Sequence, residues 1–417
     1  MTEFFNVLPP DEARALLFSH LTQQLPAESI PTVEALGRIT AVSPQAPHPL
    51  PNFRRSTMDG YAVRASDTFG ASDTLPAFLN VVGEVPMGAA AEIKLETGQA
   101  AIVHTGGMIP ETADAVVQIE HTQVIGEQGS VSSGPFEIEV LRPVAVGQNL
   151  LQPGEDVVQG AAILPIGHRL RPQDIGGLLA LGLVEISVTR QPRVAIFATG
   201  DEVVDPAVTP GPGQIRDINS YTVSGQVSQA GGIPQRYGII PDDIEAMRVA
   251  VRRALAECDM LVMSAGSSVS VRDVTVDVLH ELGQPGVLLH GVATRPGKPT
   301  IVGVAEGKPL LGLPGNPVSA MIQFDMFGVP AIYHLQGLQQ QPRRGLVWAT
   351  LTQNIASESG REDYVPVRLE GPQKLEATPV FGKSNLIYTL VNADGLLKVP
   401  LNKGGLLAGE LVEVKLF

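Results

Sequence analysis

RVAIFATGDE, at positions 193–202, decides the fold. Its first seven residues form a short β-prone apolar run, and the glycine and two acids that follow end it abruptly. That is the signature of a buried strand opening into a loop at its carboxyl end. The pattern repeats downstream, with strands expected at 237–240, 259–264 (DMLVMS) and 308–313 (KPLLGL) and helices near 220–230, 242–257, 273–282 and 317–327. Helical crossovers between such strands imply parallel pairing in a sheet covered on both faces. One interruption is expected, a hairpin in which 300–304 turns through Glu306 and Gly307 into 308–313. Residues 191–336 thus form an α/β domain.

The flanks differ. Before Pro192 the chain is rich in Gly, Pro and short β-prone runs, with helices expected at 11–21 and 172–181. After the linker-like LQGLQQQPRR at 335–344, alternating strands at 346–352, 364–369, 395–400 and 411–417 suggest a small β-barrel over 342–417. A length of 417 residues suits two to four domains. With 44% hydrophobic and 17% charged residues the chain should fold throughout. Cys258 is the only cysteine, no Cys/His cluster has zinc spacing, and no apolar run is long enough to cross a bilayer. A cytoplasmic location is the natural expectation. The net charge of −14 disfavours nucleic acid and anionic membranes as partners, so an anionic substrate requires a local basic pocket.

In open α/β sheets, ligands sit beyond the carboxyl ends of the strands, where helix N-termini offer free N–H groups. Four loops occupy such positions: ATGDE (198–202), IPDD (240–243), SAGSS (264–268) and LPGNP (313–317). In the last, Asn316 suits an N-cap and Pro317 a first helical turn, so that Gly315 lets an anion approach the amides. Asp201, Glu202, Asp217, Asp242, Asp243 and Asp273 lie on or near these loops, which fits a divalent cation or acid/base work; capping and solvation are the bland alternatives. RPGKP, at 295–299, offers two cations suited to a tetrahedral oxyanion, or a merely solvated turn. His104, His280 and His290 show no triad arrangement, and neither GxGxxG nor GxxxxGK[ST] occurs where a dinucleotide or P-loop site needs it. The residues alone therefore stop at an α/β domain that binds an anionic, phosphorylated ligand with a divalent cation.

Over nearly its whole length the chain resembles the MoeA family, which includes the gephyrin E domain. The resemblance is carried by STMDGYAVRASD (56–67), HTGGMIPETADAVVQIE (104–120), PGEDVVQG (153–160), PRVAIFATGDEVV, GQIRDINS, GIIPDD, SAGSSVSVRD, RPGKP, GLPGNPVSA, GRED (360–363) and VNADGLLKVP (391–400), in that order. It implies a multidomain α/β protein. An N-terminal domain would comprise 1–50 with 145–190 and carry an inserted β-rich lobe at 51–144. A MogA-like domain of mostly parallel sheet (191–336) and the C-terminal barrel would follow. It also implies a molybdopterin molybdenumtransferase that inserts molybdate into adenylyl-molybdopterin with Mg²⁺ and releases AMP. A homodimer is implied, with a MogA-type adenylyltransferase as a possible partner. By the same resemblance Asp59, Asp156, Glu202, Asp243 and Asp273 are the catalytic acids, and Glu202 and Asp273 hold the metal. Thr105, Gly106, Ser268, Arg295, Lys298, Arg361 and Ser384 bind substrate, and Pro314, Gly315, Asn316 and Pro317 form the pterin-side wall. The chain departs from the family pattern at Ala265 and Ser270, where glycines are usual, at Arg295, where lysine is frequent, and at Gly291, which is lysine in some members. Tungstate therefore stands beside molybdate. An adenylyltransferase and a non-catalytic scaffold or storage protein are the alternative functions.

Overall fold

The computed structural model describes residues 7–125, 135–265, 269–342, 345–371 and 374–417, with backbone alone at 265 and 269–274. By their contacts these fall into two compact units, one of residues up to 42, 166–172 and 185–417, the other of 43–165 and 173–184.

The first unit is built on a six-stranded sheet ordered Ile233–Ile240, Arg193–Thr199, Met260–Ala265, Lys308–Pro314, Ile301–Ala305, Pro285–His290. The first four strands are parallel, and Ile301–Ala305 runs antiparallel to both of its neighbours, Lys308–Pro314 and Pro285–His290. Side chains alternate across a strand. Val194 and Ile196 therefore enter a core with Val223 and Val227 of the helix Asn219–Gln229, whereas Ala195 and Phe197 meet Met247 and Val251 of the helix Ile244–Glu257 on the other face. Burial on both faces explains why RVAIFAT is a continuous apolar run rather than an alternating one. The expected hairpin forms, with Glu306 (φ 52°) and Gly307 (φ 78°) at its turn.

Some boundaries differ from expectation for physical reasons. The strand at 237–240 begins at Ile233, and Pro285–His290 joins as an unexpected edge strand. The helix expected from Asp242 begins at Ile244, because Asp243 accepts the Ala246 N–H at 2.7 Å as its N-cap. The helix expected from Asp273 begins at Val269. The helix expected to stop near Phe327 continues from Pro317–Gln323 through a π-helical turn, Phe324–Gly328, into Val329–Leu335. Pro330 has no N–H to donate, and the wider turn accommodates it.

The N-terminal helix Pro10–His20 places Ala13 and Leu17, both fully buried, in the same core as Val194 and Phe324. It thus packs on the α/β domain. Its apolar stripe is readable from sequence, but the core that receives the stripe is not. A closed barrel completes this unit: Glu362–Glu370 pairs with both Glu376–Pro379 and Gly395–Val399, and Leu346–Leu351 and Leu411–Leu416 close the ring. Thr294–Arg295 adds to it from the α/β domain, parallel to Glu362–Glu370.

The second unit holds a six-stranded sheet ordered Ala115–Gln118, Gly60–Val63, Gln99–Val103, Ala77–Glu84, Phe136–Val140, Thr122–Ile125. Val63, Val81, Ile138 and Val140 fill one face; Ala62, Val103 and Val116 fill the other. No helix among the described residues is long and apolar enough to cross a membrane.

Candidate active site

At the carboxyl edge of the parallel strands, a short parallel bridge between Val203–Val204 and Ile215–Arg216 folds the chain back after ATGDE. It fixes two acids: Ile215 N–H donates to the Glu202 carbonyl (2.8 Å) and Asp217 N–H to that of Val204 (2.8 Å). Asp217 is buried and accepts the Ser220 N–H at 3.0 Å. Asn219 then ties three loops, its Nδ2 donating to Ser264 Oγ (2.7 Å) and to the Gly315 carbonyl (2.9 Å). Among the described residues three buried polar atoms at this edge have no partner: Thr199 Oγ1, Asn219 Oδ1 and Ser220 Oγ. Unpaired buried polar atoms are costly, and three together mark a place where a polar ligand or water belongs.

Nearby, partial burial and then the charges of Asp201 and Glu202 raise the Asp242 carboxyl above its ordinary range. The Glu202 carboxylate folds over Gly200, whose Cβ, if present, would lie 2.6 Å from Oε2. Among the described residues no three His, Cys, Asp or Glu side chains form a ready cation site. Asp243 serves as a helix cap. Ser268 lies outside the described residues, and Asp273 is present only as backbone within Val269–His280. The departures at Ala265 and Ser270 likewise concern side chains outside the described set, whereas Gly291 takes φ 121°, which disfavours any larger residue.

The loop 314–317 links this edge to a cavity of about 960 Å³ between the α/β domain and the barrel. Arg295, Lys298, Arg361 and Lys383 line it, against the carboxylates Glu358 and Asp363. Four cations and two anions leave a net charge of +2 in a chain of −14. The RPGKP loop is held from behind by Gln323, fully buried, whose Nε2 donates to Thr294 Oγ1 (3.0 Å) and to the Pro296 carbonyl (3.0 Å). Asn316 occupies the N-cap position, but its side chain makes no capping bond and donates instead to Ser384 Oγ at 3.0 Å. Val318 N–H donates to the Ser384 carbonyl (3.1 Å), so the barrel strap at 384 and the PGNP turn form one wall. Of the expected residues, Arg295, Lys298, Pro314, Asn316, Arg361 and Ser384 therefore surround one cavity. Pro317 begins the helix behind it, and Gly315 faces the strand edge. Asn219, at the strand edge, and Asp363 and Lys383, which line the cavity, join the candidate site without being expected from sequence. For Lys383 the sequence does carry a signal, a cation adjacent to Ser384.

In the second unit, Asp59 Oδ1 accepts the Thr105 N–H at 2.8 Å, which holds its carboxyl below the usual range. Gly106 (φ 83°) donates its N–H to the Ser56 carbonyl (2.8 Å), so Asp59, Thr105 and Gly106 share one exposed loop pair. Gly60 follows Asp59 because a Cβ there would overlap the Val117 carbonyl oxygen. Asp156 stands on a separate exposed turn whose backbone bonds to Leu50.

Residues 8–182 match the MoeA N-terminal region (domains I and II), 195–334 a probable molybdopterin binding domain, and 348–417 the MoeA C-terminal region (domain IV). The chain belongs to the MoeA family. It is 34% identical to the molybdopterin molybdenumtransferase of Bacillus subtilis, covering all of this chain and 95% of that protein. It is 32% identical to the molybdopterin molybdenumtransferase of Haemophilus influenzae, with 99% of each covered. A solved MoeA protein from Pyrococcus horikoshii superposes with a TM-score of 0.83 at 32% identity, over 99% of this chain and all of that one. MoeA-family regions thus match residues in both units.

Proposed function

We propose that this chain is a cytoplasmic molybdopterin molybdenumtransferase, which inserts molybdate into adenylyl-molybdopterin and releases AMP. The observation that carries the reading is the cationic cavity, joined by the single loop 314–317 to a strand edge where three buried polar atoms have no partner among the described residues. One end suits a tetrahedral oxyanion and the other a polar pterin nucleotide. Arg295, Lys298, Arg361 and Ser384 bind the oxyanion, and fixed donors in a partly enclosed site stabilise charge as the phosphoanhydride opens. Pro314, Gly315, Asn316 and Pro317 shape the wall between the two substrates.

The protein's share of a Mg²⁺ shell is usually one or two carboxylates, with phosphates and water completing it. The crowded acids around Asp242 fit such an ion, and Glu202 with Asp273 would hold it. When bound it supplies Lewis-acid polarisation of the phosphate oxygens. Substituting Glu202→Gln removes the charge at nearly constant shape and should raise the Mg²⁺ needed for half-maximal AMP release by roughly tenfold, the size of one charged contact. AMP release from adenylyl-molybdopterin, titrated with Mg²⁺, measures this. Absence of AMP release by the wild type would leave a scaffold or storage role, and ATP-dependent adenylylation of molybdopterin would instead indicate an adenylyltransferase.

The same reading makes the working form a homodimer, in which Asp59, Thr105 and Asp156 of one subunit serve the strand-edge acids of the other. Asp59→Ala and Glu202→Ala proteins, each nearly inactive, should regain a substantial fraction of turnover when their subunits are exchanged. No recovery after verified exchange would refute a shared site.

A further inference from the structure

We infer that Asp363 is a positioning residue of the cationic cavity, a buried carboxylate that aims the guanidinium groups of Arg361 and Arg295 at a tetrahedral oxyanion. This rests on the reading of the cavity given above. Arg361 Nε donates to Asp363 Oδ1 at 2.9 Å, and Arg295 Nη1 lies 3.7 Å from Asp363 Oδ2, so each carboxylate oxygen faces a different arginine. The Asp363 side chain is 5% exposed, against 63% for Arg295 and 26% for Arg361. The backbone sets this arrangement: Arg295 is the register partner of Asp363 where Thr294–Arg295 pairs with the barrel, and Glu362 N–H donates to the Ala293 carbonyl at 2.8 Å.

The neighbouring acid has a different task. Glu362 accepts from Tyr364 Oη (2.6 Å) and Lys398 Nζ (3.2 Å), and among the described residues Asp363 pairs instead with Arg361 and Arg295. Glu358 holds Arg361 Nη1 at 2.9 Å, and among the described residues Nη2 has no partner. Arg361 is thus gripped at two nitrogens with a third left for a ligand. Lys298 and Lys383 form no ion pair among the described residues, so Asp363 engages the planar, directional donors and leaves the flexible ones free.

A carboxylate in an anion site repels the ligand, and this separates two explanations by sign. Asp363→Asn preserves the shape and takes the net charge of the cavity from +2 to +3. If charge alone mattered, molybdate would bind more tightly. If Asp363 aims the arginines, molybdate should bind roughly ten- to hundredfold more weakly, the range for a charged hydrogen bond. Asp363→Glu, which keeps the charge and displaces it by one methylene, should also weaken binding, by a smaller factor. The experiment is equilibrium binding of molybdate alone to the full chain, with thermal unfolding of each variant recorded alongside. In turnover the loss should fall on KM for molybdate and spare KM for adenylyl-molybdopterin. On an Arg361→Lys background the Asp363→Asn loss should shrink, since residues acting through one another are not additive. Equal or tighter binding by folded Asp363→Asn overturns the inference and leaves the cavity reading standing. If that variant does not fold, wild-type affinity in Asp363→Glu overturns it. Failure of the wild type to bind molybdate overturns both.

Discussion

Gly297→Ala should abolish molybdate binding, with a loss above roughly a hundredfold, while both units stay folded. Gly297 takes φ 106°, a region that L side chains rarely adopt, and holding a non-glycine residue there costs about 1–3 kcal/mol. Its Cβ would also overlap the Gln323 side chain, which cannot withdraw because its amide already donates to Thr294 and Pro296. Overpacking a buried site costs a further ~1–3 kcal/mol. Since Thr300 Oγ1 also grips the Gly297 carbonyl at 2.6 Å, the strain falls on residues 295–299. The loop escapes only by swinging Arg295 and Lys298 away from the cavity. Molybdate binding with far-UV circular dichroism tests this: a folded variant of wild-type affinity would show that loop geometry is irrelevant to the anion.

Gly60→Ala should have the largest effect on stability, a loss of roughly 3 kcal/mol in the second unit. Gly60 lies in a central strand, opposite Val103 on one side and Gln118 on the other. The obstacles to a Cβ are the Val117 carbonyl oxygen, the Val117 carbonyl carbon (2.9 Å) and Gln118 Cα (3.1 Å), all rigid backbone. Such a clash is relieved only by separating Gly60–Val63 from Ala115–Gln118, which places the cost at or above the upper end for overpacking. Urea unfolding should show an early transition belonging to this unit, and an unchanged profile would refute the argument. The glycine of MDGYA thus has a mechanical reason to follow Asp59.

The strands of the α/β domain are legible because burial on both faces leaves continuous apolar runs such as RVAIFAT and KPLLGL. Glu376–Pro379 is not: in EATP only Ala377 and Pro379 are buried, and a proline within four residues reads as a turn. The cations of RPGKP and GRED are visible as charged loops. Their assembly is not, because it depends on Thr294–Arg295 pairing with a strand from a different domain, and no local pattern encodes a two-residue parallel contact. The role of Asp363 is hidden for the same reason. Asn316 shows the limit of a capping rule: its position and residue type suit an N-cap, yet its amide is drawn to Ser384, a partner that only tertiary structure supplies. For Asp243 the bland reading, a helix cap, describes the contact its side chain makes.

The two-residue strand Thr294–Arg295 also constrains how the chain can mature. It leaves the ribosome before the residues it pairs with exist, so the α/β domain can finish its own sheet and still present a ragged, solvated basic loop. The long separation between the partners makes their pairing a late event. Only when Glu362–Glu370 has been made and the barrel has closed does that loop acquire its edge. The barrel is therefore a poor candidate for exchange as an independent cassette. A recombinant that joins this α/β domain to a foreign barrel inherits the cations of 295–299 without the register that aligns them.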